Sequence, residues 1–403
     1  MTDWGARAAD LLDDLACLSE PGAGATRLPF TPEHRAAVEL LSDRMRQAGL
    51  TVTLDDAGTL VGRLEGPKGR GTLLMGSHQD SVRQGGAYDG IMGVVLPLIA
   101  LEKLRAEGRA TPCSVEVLAF ADEEGVRFPT ALVGSRALAG TVDPAVLEMT
   151  DGDGVTLRAA MTAFGLEPDR IGVLKRDPAD VIGYIETHIE QGPVLERAGE
   201  ALGVVSAICG IERHSIGIVG ETGHAGTMPM EGRKDALVAA SAIVTEVNRL
   251  ALASDGLRGT VGSLAIGPNV VNAVPRVARM TAEFRSADDA ERRAAGVALH
   301  AYAEEVCAGM ELSCEVTYQQ AAQPCAAELS ERLVAAVKRA GGQGLVLPSG
   351  ATHDASALAD LCPVAMLFVR CRDGMSHRPE ELATPEDMGR AVEVLADLVM
   401  SPG

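Results

Sequence analysis

The sequence predicts an α/β protein: a mixed, mostly parallel sheet flanked by helices, with a smaller α+β domain inserted into it. Short all-apolar runs alternate with helical periodicity in the outer parts of the 403-residue chain, as strands buried on both faces do. The middle changes texture and reads β-α-β-β-α-β. With 46% hydrophobic residues, 45 glycines and only 3% aromatics, the composition suits many tight strand-to-helix turns. A chain of this length exceeds one ordinary core, so two domains are expected.

The elements follow in order. Apolar residues recur at helical spacing from Pro32 to Ala48, with Thr31 placed to cap ahead of Pro32. Thr72–Met75 is a short apolar run ending in Gly-Ser, expected as a buried strand. Ile91–Arg105 predicts a helix, Val115–Phe120 a second buried strand and Leu132–Leu138 another helix. Residues 141–180 are less regular. Their Asp-Gly-Asp-Gly stretch at 151–154 lacks the further spaced oxygen ligands of a calcium loop and reads as a surface turn. From Cys209 the pattern becomes a strand at Ser215–Val219, a helix at Ala236–Ala251, strands at Gly262–Ile266 and Arg279–Arg285, a helix at Ala287–Cys307 and a strand at Leu312–Tyr318. Strand and helix alternation resumes from about residue 330. The expected division is 1–208 with 323–403 as one domain and 209–322 as the insert.

Charge and cysteine usage exclude several classes. The formal net charge is −20, from 36 basic and 56 acidic residues, and no basic patch interrupts it. Nucleic acid is therefore not an expected partner. The longest apolar run, Ile91–Leu101, falls short of the roughly 18 residues of a membrane span. The eight cysteines form no C-x-x-C pair, and the N-terminal stretch is acidic and amphipathic rather than a basic leader. A cytoplasmic protein with reduced thiols is expected.

Four segments carry chemistry. Gly76-Ser77-His78-Gln79-Asp80 begins where the Thr72–Met75 strand ends, the place where open α/β sheets bind ligands. Asp80 stands two residues beyond His78, suited to accept its second imidazole N–H. Asp89 lies before a predicted helix and reads equally as an N-cap or a ligand. Asp122-Glu123-Glu124 follows the Val115–Phe120 strand. Three adjacent carboxylates there need solvent or a cation to neutralise them, so a solvated loop and an acid/base site both remain open. His188 in Glu186–Pro193 and His377 in Ser376–Glu381 complete the set. Each histidine alone fits a structural role; the joint pattern is far more specific.

These motifs resemble the zinc-dependent amidase and carbamoylase branch of the M20 peptidase family, which includes N-carbamoyl-L-amino-acid hydrolases, β-ureidopropionases and allantoate amidohydrolases. GSHQDSVRQGGAYDGIMGV, FADEEGVRF, THIEQGPVLE, GHAGTMPMEGRKDAL and GMSHRPEE occur in the family's order, and the similarity runs from about residue 30 to the end. The resemblance implies a di-zinc exopeptidase-like catalytic domain and a ferredoxin-like insert acting as lid and dimerisation domain. It implies two divalent metal ions per subunit, Zn²⁺ foremost, with Mn²⁺, Ni²⁺ or Co²⁺ as alternatives. His78, Asp89 and His188 would hold one metal, and Asp89, Glu124 and His377 the other, with Glu123 as general base. His224 would polarise the scissile carbonyl, while Gln191, Asn272, Arg285 and His353 would contact the substrate. For Arg285 a surface salt bridge is the plainer reading; its planar fork equally suits a substrate carboxylate.

The expected function is hydrolysis of the ureido (N-carbamoyl) C–N bond of a small carboxylic acid by a homodimer. An N-carbamoyl-L-amino acid is the first substrate; allantoate or ureidoglycolate of purine breakdown is the alternative. Relatives that are exopeptidases usually place an acid where His188 stands, which weighs against a dipeptidase or aminoacylase. A metal- or ligand-binding dimer without catalysis is the remaining class. Met228, where relatives more often have Thr, and Arg370-Cys371-Arg372-Asp373, more charged than in relatives, are expected near the substrate pocket.

Overall fold

In the computed structural model, which describes residues 2–401, the chain divides into two compact units. The first takes in the chain up to Ser206, Cys325–Leu347 and everything from Ala351 onward. The second is Ala207–Pro324 with Pro348–Gly350.

In the first unit a mixed sheet runs in the order Thr51–Leu54, Leu60–Leu64, Ser114–Phe120, Thr72–His78, Val181–Ile189, Val364–Val369, Leu202–Ile208. The four inner strands, from Ser114–Phe120 to Val364–Val369, are mutually parallel. Both flanks are antiparallel. Three of the inner strands are buried at every position, and Val181–Ile189 is exposed only in part at its first two residues. That is why Thr72–Met75 and most of Ser114–Phe120 read in sequence as short apolar runs. Thr72–Met75 extends to His78, because Gly76, Ser77 and His78 continue the ladder opposite Leu118, Ala119 and Phe120.

The helix at Pro32–Gln47 starts as expected: the Thr31 hydroxyl accepts the His34 N–H at 3.3 Å. The helix Ile91–Ala106 is buried almost throughout, packed between the sheet and the helices Trp4–Ala16 and Pro385–Met400. At 151–154 the Asp151 carboxylate accepts the N–H groups of Asp153 and Val155 and pairs with Arg127 at 3.1 Å. Its oxygens are consumed by the turn itself.

The second unit has the β-α-β-β-α-β order, with strands Gly210–Val219, Arg258–Gly267, Val277–Ser286 and Glu311–Gln320. They form one antiparallel sheet, the last strand pairing with the first and the third lying between the first and second. The helices Ala236–Leu252 and Asp289–Val306 cover one face, burying Ile216, Ile243, Phe284 and Leu299. Strands expected at five to seven residues run to ten each. The face without helices carries polar residues that weaken the hydrophobic signal at strand ends. Among the described residues no helix is long and apolar enough to cross a membrane, and all eight cysteines are free thiols.

Candidate metal centre

The chemistry-bearing segments all emerge from the carboxyl ends of the four inner parallel strands. His78 is the last residue of Thr72–His78, and Glu123 and Glu124 follow Ser114–Phe120. His188 is next to last in Val181–Ile189, and His377 lies in the segment after Val364–Val369. Four adjacent strand ends thus bring together residues up to 299 positions apart. Asp122, Gln191 and His377 have φ of 58°, 56° and 58°. Non-glycine residues held in that region carry strain, which concentrates at functional corners.

Asp89 resolves its two sequence readings. The cap of the following helix is Gly90, with no side-chain hydrogen bond to the first turn, so the Asp89 carboxylate faces the site. Gly90 has φ of 68°, and a Cβ there would lie 2.2 Å from the His78 ring. Only glycine lets the chain turn this tightly over the imidazole.

Asp89 is the hub. Its Oδ1 lies 3.0 Å from His188 Nε2 and 3.9 Å from His78 Nε2. Its Oδ2 lies 3.1 Å from His377 Nε2 and accepts from Gln191 Nε2 at 3.3 Å and Ser376 Oγ at 3.2 Å. Glu123 Oε2 stands 3.9 Å from His78 Nε2, and Glu124 Oε1 stands 3.8 Å from His377 Nε2. His188 Nδ1 faces the Ile189 carbonyl at 3.0 Å, which aims Nε2 at Asp89.

Asp80 works differently from expectation. His78 Nδ1 pairs with the Asp80 backbone carbonyl at 3.0 Å, while the carboxylate is 3.7 Å away. The Asp80 carboxylate instead accepts the backbone N–H groups of Glu123 and Glu124, each at 3.2 Å. It still supports the centre, but by holding the acidic turn rather than by choosing the His78 tautomer.

Burial and crowding of like charges govern the acids. Burial, then neighbouring acids acting against the His78 imidazole, lifts the Glu123 carboxyl well above the usual carboxylate range. Burial lifts Glu124 to about 7. Burial also opposes ionisation of Asp89, but the imidazoles of His188 and His377 outweigh it and hold the carboxyl well below its ordinary range. The hydrogen bond to Asp89 raises His377 to about 9.

Such a donor set fits divalent cations. Three donor groups have ligand atoms within 4.8 Å of one another: His78, Asp89 and His188; His78, Glu123 and Glu124; and Asp89, Glu124 and His377. Glu124 Oε1 is buried without a hydrogen-bond partner, as a carboxylate oxygen reserved for a cation would be. Imidazole and carboxylate donors suit Zn²⁺, Mn²⁺, Co²⁺ and Ni²⁺.

The substrate-side candidates fall in two places. Gln191 lies in the centre, bonded to Asp89 and to Ser376 Oγ at 3.0 Å. His353 is buried against His188. The others are in the second unit, where His224 pairs with Ala273 and the Ala225 N–H donates to the Asn272 carbonyl at 2.9 Å. This places His224 and Asn272 side by side, both exposed. Arg285 pairs with Glu283 at 2.7 Å and donates to the Gly350 carbonyl at 2.8 Å, so the salt bridge of the plainer reading is present.

In the charged stretch after the last inner strand, Arg370 and Cys371 are held in structural contacts, while Arg372 and Asp373 are exposed. Arg370 forms a two-pronged pair with buried Asp387, both bonds at 2.9 Å, and Cys371 is fully buried. Sequence reasoning missed Ser376 and Glu381. Both lie in the motif that yielded His377, which was their only signal.

Comparison with known proteins places the chain among close relatives. The family described as Peptidase family M20/M25/M40 matches residues 74–401. An N-carbamoyl-L-amino acid amidohydrolase of Geobacillus stearothermophilus is 40% identical over 379 residues, covering 93% of each chain. A probable allantoate deiminase of Oryza sativa subsp. japonica is 37% identical over 424 residues, covering 96% of this chain and 86% of its own. A solved amidase of the hydantoinase/carbamoylase family from Burkholderia multivorans superposes with a TM-score of 0.93 at 33% identity, covering 98% of this chain and 97% of that one.

Proposed function

The chain belongs to peptidase family M20/M25/M40, in its amidase and carbamoylase branch, and on that premise we propose that it hydrolyses the ureido C–N bond of an N-carbamoyl-L-amino acid. It is a hydrolase of carbon–nitrogen bonds other than peptide bonds, acting on linear amides. The observation that carries the reading is Asp89, whose two carboxylate oxygens face the imidazoles of His188 and His377 at 3.0 and 3.1 Å. One carboxylate between two donor groups suits a pair of divalent cations, with His78 and His188 on one side and Glu124 and His377 on the other.

When bound, such cations polarise the ureido carbonyl and lower the pKa of a water toward about 7. The chain supplies the proton traffic. Glu123 is buried beside His78, on a turn whose N–H groups Asp80 holds. It takes the proton of the attacking water and returns it to the departing amine. The carbamate released with the amino acid then decomposes to ammonia and carbon dioxide. Gln191 orients Asp89 and is within reach of a substrate in the centre. His224 as carbonyl polariser, with Asn272 and Arg285 as carboxylate contacts, are roles drawn from the family resemblance, as are a homodimer and a lid function for the second unit. A cytoplasmic location belongs to the same reading.

The test is ammonia release after chelator treatment and reloading with Zn²⁺ or Mn²⁺. N-carbamoyl-α-amino acids, N-carbamoyl-β-alanine, allantoate and ureidoglycolate are compared with dipeptides and N-acyl amino acids. Ammonia from N-carbamoyl-L-amino acids is expected. Preference for allantoate would favour the second reading, which the rice relative supports. Cleavage of dipeptides alone would overturn both.

A further inference from the structure

One C-terminal segment grips Asp89 at three points. Ser376 and His377 meet its carboxylate. Glu381, four residues on from His377, meets its backbone: Oε1 accepts the N–H of Tyr88 at 2.9 Å and of Asp89 at 3.0 Å. Glu381 is only 4% exposed. Its own segment is tied down, with the Glu381 N–H donating to the Arg378 carbonyl at 3.1 Å and Arg372 donating to the Glu380 carbonyl at 3.0 Å. The facing loop makes room for it: a Cβ on Gly86 would lie 2.2 Å from Glu381 Oε1. A carboxylate accepting two adjacent backbone N–H groups is a strong, directional clamp.

We propose that Glu381 is a positioning residue for the metal centre, fixing the Tyr88–Asp89 backbone against the His377 segment so that both Asp89 oxygens stay aimed at their imidazoles. The inference rests on the metal-centre reading above. Glu381 touches no reacting atom; it acts through Asp89. Among the described residues, the other hydrogen bonds and ion pairs between the 85–90 loop and the His377 segment are those at the Asp89 carboxylate. Partners that orient a ligand in this way are typically worth about 10–100-fold in metal affinity.

The experiment compares wild type, Glu381→Ala, Glu381→Gln, Gly86→Ala and the core variant Leu41→Ala. Zn²⁺ affinity is measured by competition with a chelator. Amide hydrogen exchange of the 85–92 segment is measured in the metal-free protein. Glu381→Ala and Gly86→Ala are expected to weaken Zn²⁺ binding about 10–100-fold and to speed exchange at Tyr88 and Asp89. Glu381→Gln keeps an oxygen acceptor and is expected to recover most of both. Leu41→Ala lowers the melting temperature without changing either readout.

Unchanged exchange in Glu381→Ala would overturn the inference whatever the metal does. Faster exchange with unchanged Zn²⁺ affinity, or equal loosening by Leu41→Ala, would overturn it too. Failure of the wild type to bind Zn²⁺ or Mn²⁺ at all would instead sink the metal-centre reading, leaving the exchange result to judge the clamp alone.

Discussion

His353 stands edge-on against His188, with ring centroids 4.5 Å apart and planes at 65°. It is 1% exposed, and its other side meets Phe368 at 6.0 Å. Burial, then the neighbouring His188, depresses its pKa well below the ordinary histidine value, so it backs the proposed ligand His188 as a neutral ring. His353→Ala is therefore expected to weaken metal binding and lower kcat while leaving KM within about twofold, since uniform substrate binding is not what is lost. Steady-state kinetics at saturating Zn²⁺ check this. A raised KM with intact kcat would return His353 to the substrate side.

Glu123→Gln preserves size and removes the basic oxygen. It is expected to keep metal content, measured by elemental analysis, and to lower kcat by about 10²–10⁴-fold, the usual span for a general base. Near-normal turnover would place the base elsewhere.

Gly90→Ala combines an unfavourable φ of 68° with a Cβ 2.2 Å from the His78 ring. The backbone cost alone is about 1–3 kcal/mol, and displacement of His78 adds a functional loss. Denaturant unfolding of the metal-free protein and chelator competition read the two effects separately. A variant of wild-type stability would show that the loop relaxes freely, against the packing described.

His34 gives a pH signature far from the centre. Its Nδ1 accepts the Phe30 N–H at 2.8 Å and its ring stacks on Phe164 at 4.8 Å. Burial, then Arg27 and Arg35, lowers its pKa to about 3. The unfolded chain, near 6.5, takes up a proton that the folded chain refuses, so this contribution to stability is complete above about pH 6.5 and is lost as pH falls toward 3. Between pH 7 and 5 it amounts to about 2 kcal/mol. Urea unfolding of wild type and His34→Gln at both pH values is expected to show a loss of unfolding free energy from pH 7 to 5 that is larger in wild type by about that amount, and equal losses would refute it.

The cluster of candidate ligands was legible in the sequence because it depends on residue type at strand ends. An apolar run followed by Gly-Ser-His-Gln-Asp or Ala-Asp-Glu-Glu announces a buried strand that stops where polar side chains begin. The α+β insert was legible through its periodicities. Less legible were the inner strands Val181–Ile189 and Val364–Val369, set among irregular or charged segments that mask their apolar runs.

Hydrogen-bond partnership lay beyond reach. Asp80 seemed made for His78, yet the nearest donors in space are the N–H groups of Glu123 and Glu124, 43 and 44 positions away. Arg370, in the charged stretch expected near the pocket, pairs with Asp387, 17 positions away. Glu381 and Tyr88 are 293 positions apart, and nothing periodic links them. Residue type and local pattern, which the chain carries in its own order, determined which chemistry is possible here. Which groups meet was decided by the stacking of four parallel strands, because contact depends on distance in space and not on distance along the chain.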